Sequence, residues 1–307
     1  MTQIERILKE GVITKDFLKE ETVCDFHVSE QLKKTQAIGL DMLLKLDSVC
    51  KQNNLRYYLA YGTLLGAVRH KGFIPWDDDV DVIMPREDLE KLLTMPDAFE
   101  YPYFLQTPET DKGYLGSLTR IRNSETCWFQ KLWGATGFNS GMLIDIFPLD
   151  NYVIEEIEET FKQIDFYNSY NSAFMKIAGN NINEKGRKIL LNNLDLSPKQ
   201  AVAKIRELAT KYRYTNTKHV TVCVTTGISP WDRLVWEKSD FEGTVDVSFC
   251  GYTFPGPIGF DRVLRTTYGD YMELPPLEKR GNWHQWYEPF EDRSYLEVFK
   301  EKGITKY

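Results

Sequence analysis

The 307-residue chain has no run of about 18 apolar residues, the length a helix needs to cross a bilayer, so no segment reads as a membrane span. Its first residues, Met1-Thr2-Gln3-Ile4-Glu5-Arg6, lack the apolar stretch and cleavage pattern of a secretory signal, and the expected location is the cytoplasm. The five cysteines (Cys24, Cys50, Cys127, Cys223, Cys250) are odd in number, far apart and without a CxxC pair. That argues against a disulfide framework and a zinc site alike. The four histidines show no i, i+4 spacing, so a histidine-based metal site has no support either. Positive charge is not in excess: the net charge of −7 argues against general affinity for nucleic acid. Repeats and low-complexity tracts are missing as well. What remains is a globular composition, long enough for one large domain or two small ones with a substantial core.

The most informative stretch runs from Tyr61 to Met84. It places four carboxylates in the five positions Asp77–Asp81 and continues into Val82-Ile83-Met84, which are strand formers. On a strand, Asp77, Asp79 and Asp81 share one face, while Asp78, Val80 and Val82 share the other. Like charges along one face repel unless something positive lies among them. A hard divalent cation, Mg²⁺ or Mn²⁺, fits, because such an ion takes one or two carboxylates together with phosphate oxygens. A charge run is usually a solvated turn; this one sits between an apolar-flanked Gly62-Thr63 turn and a strand.

Residues 1–30 read as a helical arm. Ser29 is a candidate N-cap for a helix to about Lys51, with Leu32, Ile38, Met42, Leu43, Leu46 and Val49 forming its apolar stripe. Residues 55–61 predict a strand, and Thr63 to Val68 a short helix whose open amides at Gly62 could face an anion. Pro85 closes the acidic strand before a helix over Arg86–Leu93. Strands are predicted at Tyr103–Thr107, Leu118–Arg122 and Gly141–Asp150. On the last of these, Asp145 lies between Ile144 and Ile146 and is costly to bury without a cationic partner. It could pair with Arg120 or Arg122 and do nothing else, or it could serve chemistry. Residues 151–214 predict helices with a polar break near Gly179–Asn183, including one that starts at Ser197-Pro198. Residues 215–307 return to strands and loops, with a helix over Asp261–Tyr268 and an aromatic-rich tail.

A Gly-Thr turn opening a helix, an Asp-x-Asp on the next strand and a third carboxylate on a later one describe a phosphate seat beside a metal cage. In these residues the chain resembles the nucleotidyltransferase superfamily. More closely, GTLLGAVRHKGFIPWDDDVDV resembles the hallmark of the LicD family of phosphocholine transferases, to which fukutin and fukutin-related protein are related. Further similar blocks are Arg120–Thr126, Ile144–Asp150, Tyr268–Met272 and Leu274–Arg280, so the likeness reaches from about residue 32 to residue 284.

The resemblance implies an α/β (α+β) fold: a mixed twisted sheet flanked by helices, with added helical segments. Its catalytic core would be residues 31–150, followed by a helical insertion (151–214) and a C-terminal part that completes the site (215–307). It implies metal ligation by Asp79 and Asp81, with Asp77 as a further ligand and Asp145 as ligand or base. Gly62, Thr63, Arg120, Arg122, Lys279 and Arg280 would meet the nucleotide phosphates or the acceptor. The implied reaction moves phosphocholine from CDP-choline to a hydroxyl of a cell-surface glycan or teichoic acid precursor, at most with peripheral membrane contact. Alternatives are another CDP-alcohol donor (ribitol, glycerol or ethanolamine), a nucleotidyltransferase that releases pyrophosphate, or an inactive scaffold. The chain departs from eukaryotic relatives in having no zinc-binding cysteine cluster. Trp283-His284 stands where a histidine-rich segment would be expected.

Overall fold

The computed structural model describes residues 1–130, 137–178, 182–223, 231–281 and 287–305. The chain starts with α1 (Gln3–Lys9), closed by a capping box between Thr2 and Glu5. It then departs from the expected helical arm. A hairpin forms from β1 (Glu21–Val23) and β2 (Phe26–Val28), turned at Cys24 and Asp25, both at positive φ. Two successive left-handed residues match the twist of flanking strands, and Thr22, Val23, Phe26 and Val28 favour extended backbone.

Helix α2 (Glu30–Gln52) begins as expected at Ser29, whose Oγ accepts the Leu32 N–H at 3.3 Å. Residues 35 to 43 of α2 are all buried, Asp41 included; Arg6 and Tyr103 hold that carboxylate at 2.5 and 2.7 Å. The predicted strand at residues 55–61 is reduced to β3 (Tyr58–Leu59), and α3 (Tyr61–His70) starts earlier than expected. The acidic run is corrected too. Asp77 to Val80 form a loop entered by a turn in which the Asp77 N–H meets the Ile74 carbonyl at 2.9 Å, and β4 (Asp81–Pro85) begins only at the last aspartate. Consecutive aspartates are poor strand formers, whereas Val82-Ile83-Met84 are good ones.

After α4 (Arg86–Leu93) come β5 (Tyr103–Gln106), β6 (Thr119–Asn123) and the long β7 (Met142–Tyr152). Three helices follow: α5 (Ile157–Ala178), α6 (Glu184–Leu191) and α7 (Pro198–Ala209), the last capped by Ser197. The remaining elements are β8 (His219–Thr221), β9 (Val235–Glu237), β10 (Thr244–Phe249), β11 (Tyr252–Pro257), α8 (Phe260–Tyr268) and α9 (Tyr295–Lys302).

The main sheet has the order β3-β4-β7-β6-β5, with β8 beside the end of β7 and β9 beside β8. It is mixed: β4 and β7 run parallel, and the other pairs are antiparallel. Strand β7 is buried along most of its length, and α2 packs across it. One hydrophobic core joins α2, β4 and β7 to α8 and the root of α5. Among the described residues, no helix is long and apolar enough to cross a membrane.

Candidate active site

Two helices hold the acidic loop in place. From α2, Gln36 Nε2 donates to the Asp77 carbonyl at 2.9 Å. A Cβ at Gly39 would stand 3.1 Å from Val80, so α2 lies directly against the loop. From α3, Gly62 makes the closer approach: a Cβ there would come within 2.4 Å of Asp77 Oδ2, space that glycine leaves to the carboxylate. Thr63 is buried, and its Oγ1 accepts the Asp81 N–H at 2.9 Å. The Gly-Thr pair therefore sets the two outer carboxylates of the run. The N-cap of α3 is Ala60, which offers no side-chain cap, and the first turn leaves its amides without intrahelical partners.

The sheet brings in the third strand. Asp81 on β4 is the register partner of Asp145 on β7, and Asp145 is the register partner of Arg120 on β6. Residues directly opposite one another project to the same face, so these three side chains form a row across three strands. Arg120 Nε donates to Asp145 Oδ1 at 2.6 Å. Of the two arginines that could have paired with Asp145, the one in register does so.

Burial, and then the neighbouring carboxylates, push Asp77 and Asp81 well above the usual carboxylate range. Asp79 is the strongest repelling charge for both, and a hydrogen bond between Asp77 and Asp79 adds to the effect on Asp77. For Asp81 the Asp145 charge raises the pKa further, and Arg120 only partly opposes it. Asp77, Asp78 and Asp79 can each place a carboxylate oxygen within 4.8 Å of the others. Strand alternation predicts Asp78 on the opposite face; the loop conformation brings it to the cluster, although it is only 3% exposed. An all-oxygen donor set of this charge suits Mg²⁺ or Mn²⁺ better than a softer ion.

The basic residues divide. Arg122 is buried, with Nε on Gln106 Oε1 and Nη1 on the Gly141 carbonyl, both at 2.8 Å. Burial and the Arg120 charge lower its guanidinium to about 10. It braces the sheet, and the expected phosphate contact does not fit this position. Arg280 lies over the Trp76 ring at 5.4 Å, one residue before the acidic run, and is tied to the Pro275 and Cys24 carbonyls. Lys279 is exposed on an adjoining turn. Trp283 and His284 lie outside the described residues.

Four tyrosines that no sequence signal singled out as site residues surround this wall. Tyr61 opens α3 at φ +43°, a strained value for a bulky residue, with its ring edge-on to Phe147 at 5.0 Å. Its hydroxyl and Arg120 Nη1 are buried without a hydrogen-bond partner among the described residues. Burial and the Asp81 charge raise the Tyr61 phenol strongly. Tyr268, at the end of α8, feels Asp77, Asp81 and Asp79; Tyr287 feels Arg120, Arg122, Asp145 and Asp79. Tyr114 places its ring 5.3 Å from the Arg120 guanidinium.

Comparison with known proteins finds likeness in the same part of the chain. Residues 54–176 match the family described as LicD/FKTN/FKRP, nucleotidyltransferase domain. Over 263 residues the chain is 28% identical to the lipopolysaccharide cholinephosphotransferase LicD of Haemophilus influenzae, covering 82% of this chain and 96% of that protein. Two uncharacterized rickettsial proteins share shorter segments. The one from Rickettsia prowazekii is 38% identical over 27% of this chain and 30% of its own length. The one from Rickettsia typhi is 40% identical over 23% of this chain and 22% of its own length. The matched domain holds α3, the acidic loop, β4, β6 and β7, and with them every member of the carboxylate row; in this domain the chain is similar to the LicD family.

Proposed function

We propose that the protein transfers phosphocholine from CDP-choline to a hydroxyl of a bacterial cell-surface glycan or a teichoic acid precursor, releasing CMP. The observation that carries this reading is the register row Asp81–Asp145–Arg120 beside the Asp77–Asp79 cluster. It is supported by the similarity to a protein named as a lipopolysaccharide cholinephosphotransferase.

In this reading Asp77, Asp79 and Asp81, with Asp145, hold Mg²⁺ or Mn²⁺. The bound ion supplies charge neutralisation at the diphosphate. The acceptor hydroxyl forms a bond to the phosphorus that bears choline, and the bond from that phosphorus to the CMP oxygen breaks. The acceptor proton passes to a carboxylate of the row, a role this reading gives to Asp145. Arg120 fixes Asp145 through Nε, and its Nη1 donates to none of the described residues. A buried donor of this kind suits a phosphate oxygen. Arg280 and Lys279 offer further cationic contacts, and the tyrosine rings offer faces to a quaternary ammonium.

The test uses CDP-choline labelled in its methyl groups, Mg²⁺, and lipopolysaccharide or teichoic acid preparations as acceptors. Label in the glycan with equimolar CMP supports the reading. Transfer only from CDP-ribitol, CDP-glycerol or CDP-ethanolamine would keep the chemistry and change the donor. Pyrophosphate release from CTP, with no transfer from any CDP-alcohol, would overturn it.

A further inference from the structure

The root of α5 is part of the main core through Ile157, Phe161 and Ile164. The helix is 22 residues long, so at about 1.5 Å per residue it carries the chain roughly 33 Å away. Its far part, together with α6 and the turn before α7, exposes large apolar side chains. Phe174 is 43% exposed, Ile177 51%, Leu191 68% and Leu194 79%. With Leu190 and Arg187 they line an open trough of about 780 Å³. Contiguous apolar exposure on this scale marks a binding surface.

The charge around it reverses that of the molecule. Between Phe174 and Lys199 the chain has five cations (Lys176, Lys185, Arg187, Lys188, Lys199) and two acids (Glu184, Asp195), within a protein of net charge −7. Lys185, Arg187, Lys188 and Lys199 are all exposed. Exposed leucine and phenylalanine in one segment with exposed lysine and arginine is the pattern of a surface that lies in a lipid interface, apolar side chains at the acyl boundary and cations at the headgroups. A second copy of the chain fits worse, because two patches of the same sign would be brought face to face.

We propose that the tip formed by the end of α5, α6 and the α6–α7 turn docks on an anionic lipid surface. Exposure and charge carry this proposal independently of the phosphocholine reading. It is tested with the full chain and sedimented vesicles of phosphatidylglycerol and phosphatidylcholine in equal parts, against vesicles of phosphatidylcholine alone. Binding should favour the anionic vesicles by about tenfold or more and should weaken with added salt. Leu191→Glu/Leu194→Glu and Lys185→Glu/Arg187→Glu/Lys188→Glu change only exposed positions. Each should lose most of the binding while keeping the wild-type thermal melt. A wild-type protein that stays in the supernatant, or binding that both variants retain, would overturn the proposal. So would a wild-type dimer in light scattering that Leu191→Glu/Leu194→Glu converts to monomer, since the patch would then be a self-association surface.

Discussion

Asp81 and Asp145 face each other in register across two parallel strands, and Arg120 on the third strand closes an ion pair with the second of them at 2.6 Å. The arrangement sets two carboxylates side by side and gives the geometric cationic partner to one. The other is left with a strongly raised pKa, and its chemistry follows from that imbalance.

Replacing Asp81 with Asn should separate function from stability. On the proposed function, loss of this charge should lower transfer by about 10²-fold or more. The metal-free protein should melt at a higher temperature than wild type, because one of the mutually repelling, half-buried charges is gone. Calorimetry without divalent ions and a transfer assay with them check the two halves; equal loss of both would point to misfolding.

The pH dependence has a definite sign. Asp77 and Asp81 bind protons more tightly folded than unfolded, so their contribution to stability is fullest below the unfolded pKa, about 4, and is lost as pH rises toward the folded values. The metal-free protein should therefore lose melting temperature as pH rises from mildly acid to neutral, and Asp81→Asn should flatten that slope. Since a metal competes with those protons, the Mg²⁺-induced rise in melting temperature should grow with pH.

Gly62→Ala should act on Asp77. The added Cβ would meet Asp77 Oδ2 at 2.4 Å, the far end of a side chain that can move aside. The expected result is weakened Mn²⁺ binding, read by titration, with stability changed by roughly 1 kcal/mol or less. Thr63→Val should do the reverse. It leaves the Asp81 N–H without its acceptor at 2.9 Å and should cost about 1–3 kcal/mol in a denaturant melt.

Arg86 and Asp150 join α4 to the end of β7 through two hydrogen bonds of 2.7 and 2.6 Å, at 8% and 2% side-chain exposure. Burial outweighs pairing for Asp150 and raises its carboxyl, while Asp150 raises the Arg86 guanidinium against its own burial. Arg86→Ala would leave a buried carboxylate alone and should destabilise by about 3–5 kcal/mol. Metal binding by the fraction that remains folded should be unchanged.

Much of this was legible beforehand. The helix after Ser29, the helix over Arg86–Leu93, the start at Ser197-Pro198 and the strand carrying Asp145 all follow from caps, prolines and apolar patterns. The acidic run takes another form, because period-two alternation predicts a strand where three consecutive aspartates favour a loop, and that loop brings in Asp78, which alternation sets apart. The loop brings Asp77 and Asp79 together with Asp78, while Asp81 opens β4 and stands in register with Asp145. Which arginine meets Asp145 depended on strand register, and the tyrosines around the wall depended on tertiary contact. Single residues do not encode either in their neighbours, and 17 tyrosines offer no local mark for the four that matter.

The most direct measurement is the thermal shift of the protein with CDP-choline, CDP-ethanolamine, CDP-ribitol, CDP-glycerol and CTP, each with and without Mg²⁺, beside an Asp79→Asn/Asp81→Asn control. A ligand bound only by the folded state raises the melting temperature by mass action. The account predicts a Mg²⁺-dependent rise with CDP-choline that the control lacks. A rise with CTP alone, or one that the control keeps in full, would contradict it.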